Sequence, residues 1–242
     1  LQKLGLKVGV LDADIYGPSI PLMLGSTKER PASHDGKQMQ PISVYGIVCN
    51  SIGFLVPESE ATVWRGPMAS QALEQLIHQT RWEGLDYLIV DMPPGTGDIQ
   101  LTMAQKVPLT GAVIVTTPQD IALLDAKKGI TMFQKVNVPV LGLIENMAVH
   151  VCSQCGHHEH IFGQEGGKRL AQQLGMDYLG ALPLALSIRT QADAGRPSVV
   201  AEPEGEIAQL YRQMARTLAA KVAQQGTNLA PKFPTITISK RS

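Results

Sequence analysis

The stretch YLIVDMPPGTGD, residues 87–98, decides the fold. An apolar run ends in Asp91, and a loop rich in proline and glycine follows it. Such a run is typical of a strand covered on both faces of a parallel sheet. An aspartate directly after such a strand is placed where many nucleotide hydrolases hold a hydrated magnesium ion. Gly95 and Gly97 let the following backbone come close to a phosphate and move when that phosphate leaves.

A second stretch of the same kind is VGVLDADIYGPSIP, residues 8–21. Asp12 and Asp14 are two positions apart, so strand alternation points both to one side. The carboxyl ends of parallel strands meet at one edge of a sheet, where ligands bind. We therefore predict one site containing Asp12, Asp14 and Asp91, with Asp91 ordering the waters of Mg²⁺. A strand-terminal aspartate often only caps the next helix, and this alternative stays open for each of the three.

The rest of the chain alternates β-rich apolar runs with helical patterns, which predicts an α/β fold with a mostly parallel sheet flanked by helices. The predicted strands span 7–11, 46–52, 85–90, 111–116, 138–144 and 178–182. The predicted helices span 70–80, 99–106, 121–134, 166–174 and 204–225. The apolar runs at 85–90 and 111–116 are nearly continuous, so we predict that these two strands are central.

Domain organisation follows from length and composition. The chain has 242 residues, 44% of them apolar, which is enough for one large core, and we predict one domain over 1–225. Residues 226–242 are polar and contain proline, which predicts a loosely held tail. Residues 1–6 resemble the end of a helix with a glycine cap that runs into a strand. A parallel sheet is not expected to begin there, so we expect that the domain lacks its first strand.

Charge and hydropathy exclude several classes of function. Lysine plus arginine equals aspartate plus glutamate at 21 each, so no overall field favours nucleic acid or an anionic membrane. No apolar run approaches the roughly 18 residues of a membrane span, and the first residues lack the layout of a signal peptide. We therefore expect a cytoplasmic protein with neither nucleic acid nor membrane as a partner.

These residues contain no recognisable phosphate-binding loop. The motif G-x-x-x-x-G-K-[ST] occurs nowhere in the sequence. The nearest similar stretch, Gly166-Gly167-Lys168, has Phe162 at the position of the first glycine and Arg169 in place of the hydroxyl. We therefore interpret it as an ordinary helix start.

The stretch VCSQCGHHEH, residues 151–160, carries two cysteines three positions apart. Three cysteines in the whole chain are too few for a disulfide framework, so the pair indicates metal or redox chemistry. Metal centres held by cysteine usually have four protein ligands. Zinc could take Cys152, Cys155 and two of the nearby histidines, which are His157, His158 and His160, and a redox dithiol is a further alternative. Cys49 is interpreted as a buried strand residue.

Six motifs resemble the Mrp/ApbC family of iron–sulfur carrier ATPases, which are MinD-like P-loop proteins with a deviant Walker A motif. The motifs are LDADIYGPSIP (11–21), VWRGPM (63–68), DMPPGTGD (91–98), TTPQDIALLDAKKG (116–129), ENM (145–147) and CSQCG (152–156). In that family a loop GKGGVGKS/T lies about one βα unit before the LDAD strand. The resemblance therefore implies a fragment that starts after its P-loop.

The resemblance also implies roles for individual residues. It assigns Asp14 to orienting the hydrolytic water and Asp12 to a position near Mg²⁺, and Asp91 matches the Walker B aspartate. Asn146 matches the position that hydrogen-bonds adenine of ATP, and Pro183 lies where the adenine pocket is lined. The cysteines at 152 and 155 match the pair that shares a bridging [4Fe-4S] cluster with a second subunit.

A homodimer that transfers the cluster to apo iron–sulfur proteins is the function that this resemblance implies, with ATP hydrolysis by the full-length parent. Two-fold symmetry supplies two thiolates from each subunit, which completes the four ligands of a cubane cluster. The alternative is a non-enzymatic scaffold or partition-type adaptor with a structural zinc knuckle. The combination of CSQCG with two magnesium-type aspartate loops favours the carrier, because an adaptor needs no such loops.

Overall fold

The structure is a computed structural model that describes residues 1–33, 36–56, 64, 66–152 and 154–225. The tail predicted at 226–242 lies outside the described residues. Within them the strands form two main sheets and one small hairpin, with helices packed around the sheets. The α/β class and the mostly parallel arrangement are therefore confirmed.

The first sheet has the order β2-β3-β1-β4. Its strands are β1 (Val8–Asp12), β2 (Ile42–Val44), β3 (Ile47–Ser51) and β4 (Tyr87–Asp91). Strands β3, β1 and β4 are parallel, and β2 pairs antiparallel with β3. In the register of the ladder, Asp12 lies opposite Ser51 on one side and Asp91 on the other. The parallel pairing therefore brings three polar strand ends to one edge.

The second sheet has the order β5-β6-β9 and is entirely parallel. Its strands are β5 (Ala112–Thr116), β6 (Val140–Glu145) and β9 (Tyr178–Ala181). The connection after β6 forms a separate two-stranded hairpin, β7 (His150–Val151) with β8 (His158–Glu159). This hairpin carries the two cysteines in its turn.

Eight α-helices lie in the described part of the chain. They are α1 (Ile20–Met23), α2 (Gly66–His78), α3 (Asp98–Lys106), α4 (Asp120–Lys135), α5 (Gly166–Gln173), α6 (Leu186–Asp193), α7 (Ser198–Ala201) and α8 (Glu206–Gln224). Helices α2 and α3 cover the first sheet, α4 and α5 cover the second, and α8 contacts β9 and β6. None of the helices over the described ranges is long and apolar enough to cross a membrane.

The predicted elements are all present, with boundaries that differ by up to four residues. The predicted glycine cap near the start is also present, because Gly5 has a φ of 88° and ends a short 3-10 helix, Gln2–Leu4. The sequence patterns missed only short elements, which are β2, β7, β8, α1, α6 and α7. Strands of two or three residues and helices of four residues carry too few apolar positions to show a period, and α6 (LSIRTQAD) has only two large apolar residues.

The prediction that 85–90 and 111–116 are central strands is wrong for the described sheets. Strand β4 lies at one end of the first sheet and β5 at one end of the second. Two apolar side chains on these edges are exposed, Ile89 at 37% and Val115 at 60%. Helix α3, which connects β4 to β5, packs through Met103 on the first core and through Leu101 on the second.

Candidate functional site

The ends of β1 and β4 carry Asp12, Asp14 and Asp91, and we call this part of the first sheet the aspartate edge. Asp12 is its buried centre, with 1% of its surface exposed. Its Oδ2 accepts hydrogen bonds from the Ser51 hydroxyl at 2.9 Å and from the backbone N–H groups of Ser19 and Ile20 at 3.1 and 3.2 Å. Its Oδ1 accepts from the N–H of Asp14 at 3.2 Å. Asp12 therefore holds the start of α1, as the capping alternative predicted, and fixes the loop that contains Asp14.

Asp14 lies just beyond the end of β1 and is half-buried. Its Oδ1 accepts hydrogen bonds from the N–H groups of Tyr16 and Gly17 at 3.2 and 3.0 Å. These bonds form a local turn that fixes the carboxylate from within its own loop. Neither bond involves Oδ2, so this second oxygen is available for a ligand or water.

Asp91 ends β4 beside the other two aspartates, and its backbone O accepts the N–H of Ala13 at 2.8 Å. Desolvation raises the pKa of Asp91, and Coulombic repulsion from Asp12 and Asp14 raises it further. Desolvation also raises the pKa of Asp12, against the opposing effect of its hydrogen bonds. The structure thus places all three aspartates that the sequence predicted at one edge, where Asp12 and Asp14 raise the pKa of Asp91, although their carboxylates do not converge into a group that could hold a metal ion by itself over the described residues.

The loop after Asp91 is held in a compact shape from inside. The Gln100 side chain donates to the carbonyls of Pro93 and Pro94 at 3.0 and 2.9 Å. Gly95 has a φ of +94° and no atom near the position of a Cβ, so this left-handed turn faces open space. The loop can therefore present backbone N–H groups to a ligand at the start of α3.

The predicted base-binding residues lie on the second sheet. Asn146 directly follows β6, where its backbone N–H donates to the Thr116 carbonyl at 2.7 Å. Its side-chain Oδ1 accepts from the N–H of Met147 at 3.0 Å, which leaves its Nδ2 as the outward donor. Pro183 follows the neighbouring β9, and both residues are half-buried. They therefore occupy adjacent strand ends, as a shared pocket requires.

The cysteine pair lies in the turn between β7 and β8. The Cys152 N–H donates to the His157 carbonyl at 2.9 Å, and the Gly156 N–H donates to the Cys152 carbonyl at 2.9 Å. Gly156 adopts a φ of 70°, the left-handed conformation that suits glycine at a tight bend. Hydrogen bonds from the backbone of Gln154 and Cys155 lower the pKa of the Cys152 thiol. Both sulfurs belong to exposed or half-buried residues.

Metal-binding groups within one chain are incomplete. Over the described residues, no three side chains of His, Cys, Asp or Glu converge closely enough to hold a metal ion. A tetrahedral zinc site needs four ligands, and the described residues do not form such a group on their own. Cys49 is fully buried in β3, and burial raises its pKa to about 12, which confirms it as a core residue.

The stretch Gly166-Gly167-Lys168 begins α5, as predicted. A side chain of the protein itself already binds the backbone at this helix start. The buried carboxylate of Glu145 accepts the N–H of Gly167. A Cβ at Gly166 would lie 2.2 Å from the Pro118 carbonyl oxygen, so only glycine fits there. This helix start therefore serves packing, and its positive end is neutralised by an internal anion.

Sequence reasoning missed two polar residues that organise these edges. Ser51 ends β3 and holds Asp12, and Glu145 ends β6 and holds α5. Both are buried, at 0% and 2% exposure. For Glu145 the available signal was that it directly follows an apolar strand run, the same feature that identified Asp91, whereas Ser51 follows the polar Asn50 and gave no such signal.

Comparison with known proteins gives consistent results. The sequence family described as NUBPL iron-transfer P-loop NTPase, of the ParA type, matches residues 1–219. The iron–sulfur cluster carrier protein of Escherichia coli K12 is 60% identical over 222 residues, which cover 92% of this chain and 60% of that protein. The iron–sulfur cluster transfer protein NUBPL of Mus musculus is 52% identical over 215 residues, covering 89% of this chain and 67% of that protein. The chain thus spans only part of these relatives.

Solved structures show the same architecture. A nucleotide-binding protein from Archaeoglobus fulgidus in complex with ADP has a TM-score of 0.72 at 35% identity, covering 86% of this chain and 80% of that one. The septum site-determining protein MinD from Pyrococcus horikoshii, complexed with Mg-ADP, has a TM-score of 0.66 at 18% identity, covering 93% and 88%. The second likeness concerns the fold alone, and it confirms the MinD-like arrangement.

Proposed function

Because this chain belongs to the ParA-type family of NUBPL iron-transfer P-loop NTPases, we propose that it is the nucleotide-binding part of an iron–sulfur cluster carrier. The carrier holds a [4Fe-4S] cluster as cargo and passes it to apo iron–sulfur proteins in the cytoplasm. The observation that carries this proposal is the pair of accessible thiols, which no third His, Cys, Asp or Glu among the described residues joins in a group that could hold a metal ion. A pair that one chain leaves incomplete suits a cargo better than a permanent structural metal.

A homodimer completes the cluster site in this proposal. Each subunit contributes Cys152 and Cys155, so four thiolates surround one cubane. The backbone N–H groups that stabilise the Cys152 thiolate are the kind of donors that tune cluster sulfurs. Because the cysteines lie at the surface, an acceptor protein can reach the cluster without the fold opening.

The aspartate edge is the catalytic part of the proposal. Asp91 orders the waters of Mg²⁺, and Asp14 orients the attacking water through its second carboxylate oxygen. Asp12 keeps both in place and lies near the metal. The chemistry of the donors fits Mg²⁺, a hard cation that keeps several waters and takes only one or two carboxylates. When bound, Mg²⁺ neutralises the charge of phosphate oxygens.

ATP binds across the two sheets in this proposal. Asn146 donates to the adenine base and Pro183 lines its pocket. A further parallel strand, carrying the phosphate loop that these residues lack, pairs with the open edges of β4 and β5. The end positions of β4 and β5 in the described sheets support this, because natural sheets rarely leave long apolar edge strands unpaired. ATP hydrolysis is accordingly a property of the longer protein.

Anaerobic reconstitution with iron and sulfide tests the proposal. We expect a brown chromophore with about four irons and four thiolate ligands per dimer. Cys152→Ala and Cys155→Ala should each abolish it, since each change removes two of the four ligands from the dimer. Cys49→Ala is the matched control, because this buried thiol cannot reach the cluster, and its chromophore should equal that of the parent.

Stoichiometry separates the two candidate functions. A colourless protein with one tightly bound zinc per chain would support the adaptor and contradict the carrier. Intact cluster on a monomer, measured by native mass spectrometry, would contradict the bridging arrangement.

A further inference from the structure

The base of the cysteine hairpin runs alongside the segment after β9. The Ala148 N–H donates to the Leu182 carbonyl at 2.9 Å, and the Leu184 N–H donates to the Val149 carbonyl at 2.9 Å. Pro183, the residue proposed to line the base pocket, lies between these two bonds. The backbone thus joins the proposed base pocket to the hairpin immediately before β7.

The His150 ring adds a third bond to this connection. Its Nδ1 lies 3.1 Å from the Leu184 carbonyl oxygen. A carbonyl only accepts hydrogen bonds, so Nδ1 carries the proton and donates it. His150 is half-buried and lies two residues before Cys152. The ring therefore fixes the first strand of the hairpin directly to the segment that contains Pro183.

The hairpin needs such support because its own ladder is short. Strands β7 and β8 share only two residue pairs, His150 with Glu159 and Val151 with His158. A two-stranded hairpin is marginally stable by itself. A second imidazole helps at the other end, where Nδ1 of His160 lies 3.0 Å from the Ala148 carbonyl oxygen. His158 lies between these two histidines in sequence, is exposed, and makes no comparable bond to the described residues.

We infer that His150 is a positioning residue for the cysteine pair, which it ties to the base-pocket segment through the Leu184 carbonyl. The inference rests on the proposed function for what the cysteines hold and for what Pro183 lines. The Cys152 N–H donates to the His157 carbonyl across the turn, so Cys152 is fixed to both strands of the hairpin. A displacement of the Leu184 carbonyl would therefore move His150 and, two residues on, Cys152.

Three variants of the full chain separate positioning from simple structural support. His150→Phe keeps the ring and loses the donor. His150→Asn keeps an N–H donor at about the reach of Nδ1 and is the conservative rescue. His158→Phe is the matched control, because it makes the same change on the facing strand of the same hairpin.

Amide hydrogen exchange measures the connection without any cluster. In His150→Phe we expect exchange to rise about fivefold in both 148–157 and 182–185, the factor that one typical net hydrogen bond is worth. In His150→Asn and His158→Phe, exchange at 182–185 should stay within about twofold of the parent. Unchanged exchange at 182–185 in His150→Phe, or an equal rise in His158→Phe, would overturn the inference.

The reconstituted cluster provides a second readout. We expect His150→Phe to change the visible circular dichroism spectrum and to speed iron removal by a chelator severalfold, with His150→Asn restoring both. A normal spectrum and removal rate in His150→Phe would overturn the positioning role and leave the carrier function intact. Absence of a chromophore in every variant, with the exchange pattern as expected, would overturn the carrier function alone.

Discussion

The aspartate edge and the cysteine hairpin are built in opposite ways. At the aspartate edge, Asp12 is fully buried and accepts four hydrogen bonds from three segments of the chain. At the hairpin, Cys152 and Cys155 lie at the surface on a ladder of two residue pairs. The first site is organised by the fold of a single chain. The second is held by few contacts of its own, a ladder of two residue pairs.

This difference supports the roles proposed for the two regions. A buried carboxylate surrounded by donors is costly to move, which suits the positioning of a reaction. An exposed thiol pair on a weakly supported hairpin can change its surroundings at little cost, which suits binding and release of a cargo. Stability and function should therefore respond differently to substitutions in the two regions.

The largest effect is expected for Asp12→Ala. This change leaves the Ser51 hydroxyl and three backbone N–H groups without their acceptor, and unpaired buried donors cost about 1–3 kcal/mol each. We expect the free energy of unfolding to fall by about 3–4 kcal/mol in total, since partial rehydration relieves some of the cost. Urea denaturation followed by circular dichroism measures it.

Asp14→Ala is the control for that measurement. Asp14 is half-buried and accepts only two bonds within its own loop, so its loss should cost about 1 kcal/mol or less. Equal losses for the two variants would remove the distinction between a buried anchor and an accessible reacting group.

The sequence predicted the aspartate edge well because its signal is local. An apolar strand that ends in an acidic residue can be recognised within a stretch of about a dozen residues. The parallel pairing of β1 with β4 then brings Asp12 and Asp91 together. The roles within the edge were not visible. The bond from Ser51 to Asp12 spans 39 positions, so only the fold shows that Asp12 is an anchor.

The hairpin was predicted less completely for a related reason. The tight turn with Gly156 follows from the CSQCG motif, but β7 and β8 are two residues each and have no period to recognise. The bond from His150 to Leu184 spans 34 positions, which no local pattern contains. The prediction of β4 as a central strand was wrong because apolar continuity indicates burial and says nothing about which neighbours are present.

The second largest effect concerns Glu145, the buried carboxylate close to the hairpin region. Glu145→Ala removes the acceptor for the Gly167 N–H and leaves a cavity at the end of β6. We expect a loss of about 2–3 kcal/mol in the free energy of unfolding, again by urea denaturation. This would show that the second sheet also has a rigid anchor, and that the weak support is confined to the hairpin.

Glu159→Ala is the matched control for Glu145→Ala. Glu159 is an exposed carboxylate on β8, so its removal should change the free energy of unfolding by less than about 0.5 kcal/mol. A comparable loss in the two variants would contradict the assignment of Glu145 as the anchor.

The third effect is a gain in the free energy of unfolding and concerns Asp91. Its pKa is raised in the folded protein by desolvation and by repulsion from Asp12 and Asp14. The folded state therefore binds more protons than the unfolded state, and stability falls as the pH rises through the raised pKa. Asp91→Asn should thus be more stable than the parent at pH 7 without Mg²⁺, by up to about 1 kcal/mol because Asp91 is exposed to solvent.

The pH profile of that difference is the sharper test. Below the ordinary pKa of an aspartate, near 4, the parent carboxyl is protonated in both states and the advantage of Asp91→Asn should vanish. Urea midpoints measured for both proteins from pH 4 to pH 7 decide it. A constant difference across this range, or a less stable variant at pH 7, would contradict the electrostatic account of the aspartate edge.

The smallest change in stability is expected for the cysteine pair, although its removal should abolish the proposed cluster binding. The double change of Cys152 and Cys155 to serine, in reduced and metal-free protein, should alter the free energy of unfolding by less than about 0.5 kcal/mol. Both thiols lie in an accessible turn held by backbone bonds that serine leaves intact. Cys49→Ser is the contrast, because a hydroxyl without a partner in the buried cluster with Ile42 and Phe54 should cost about 1–3 kcal/mol. If the hairpin double variant lost as much stability as Cys49→Ser, the cysteine pair would be part of the folded scaffold, and an exchangeable cargo site would no longer explain its exposure.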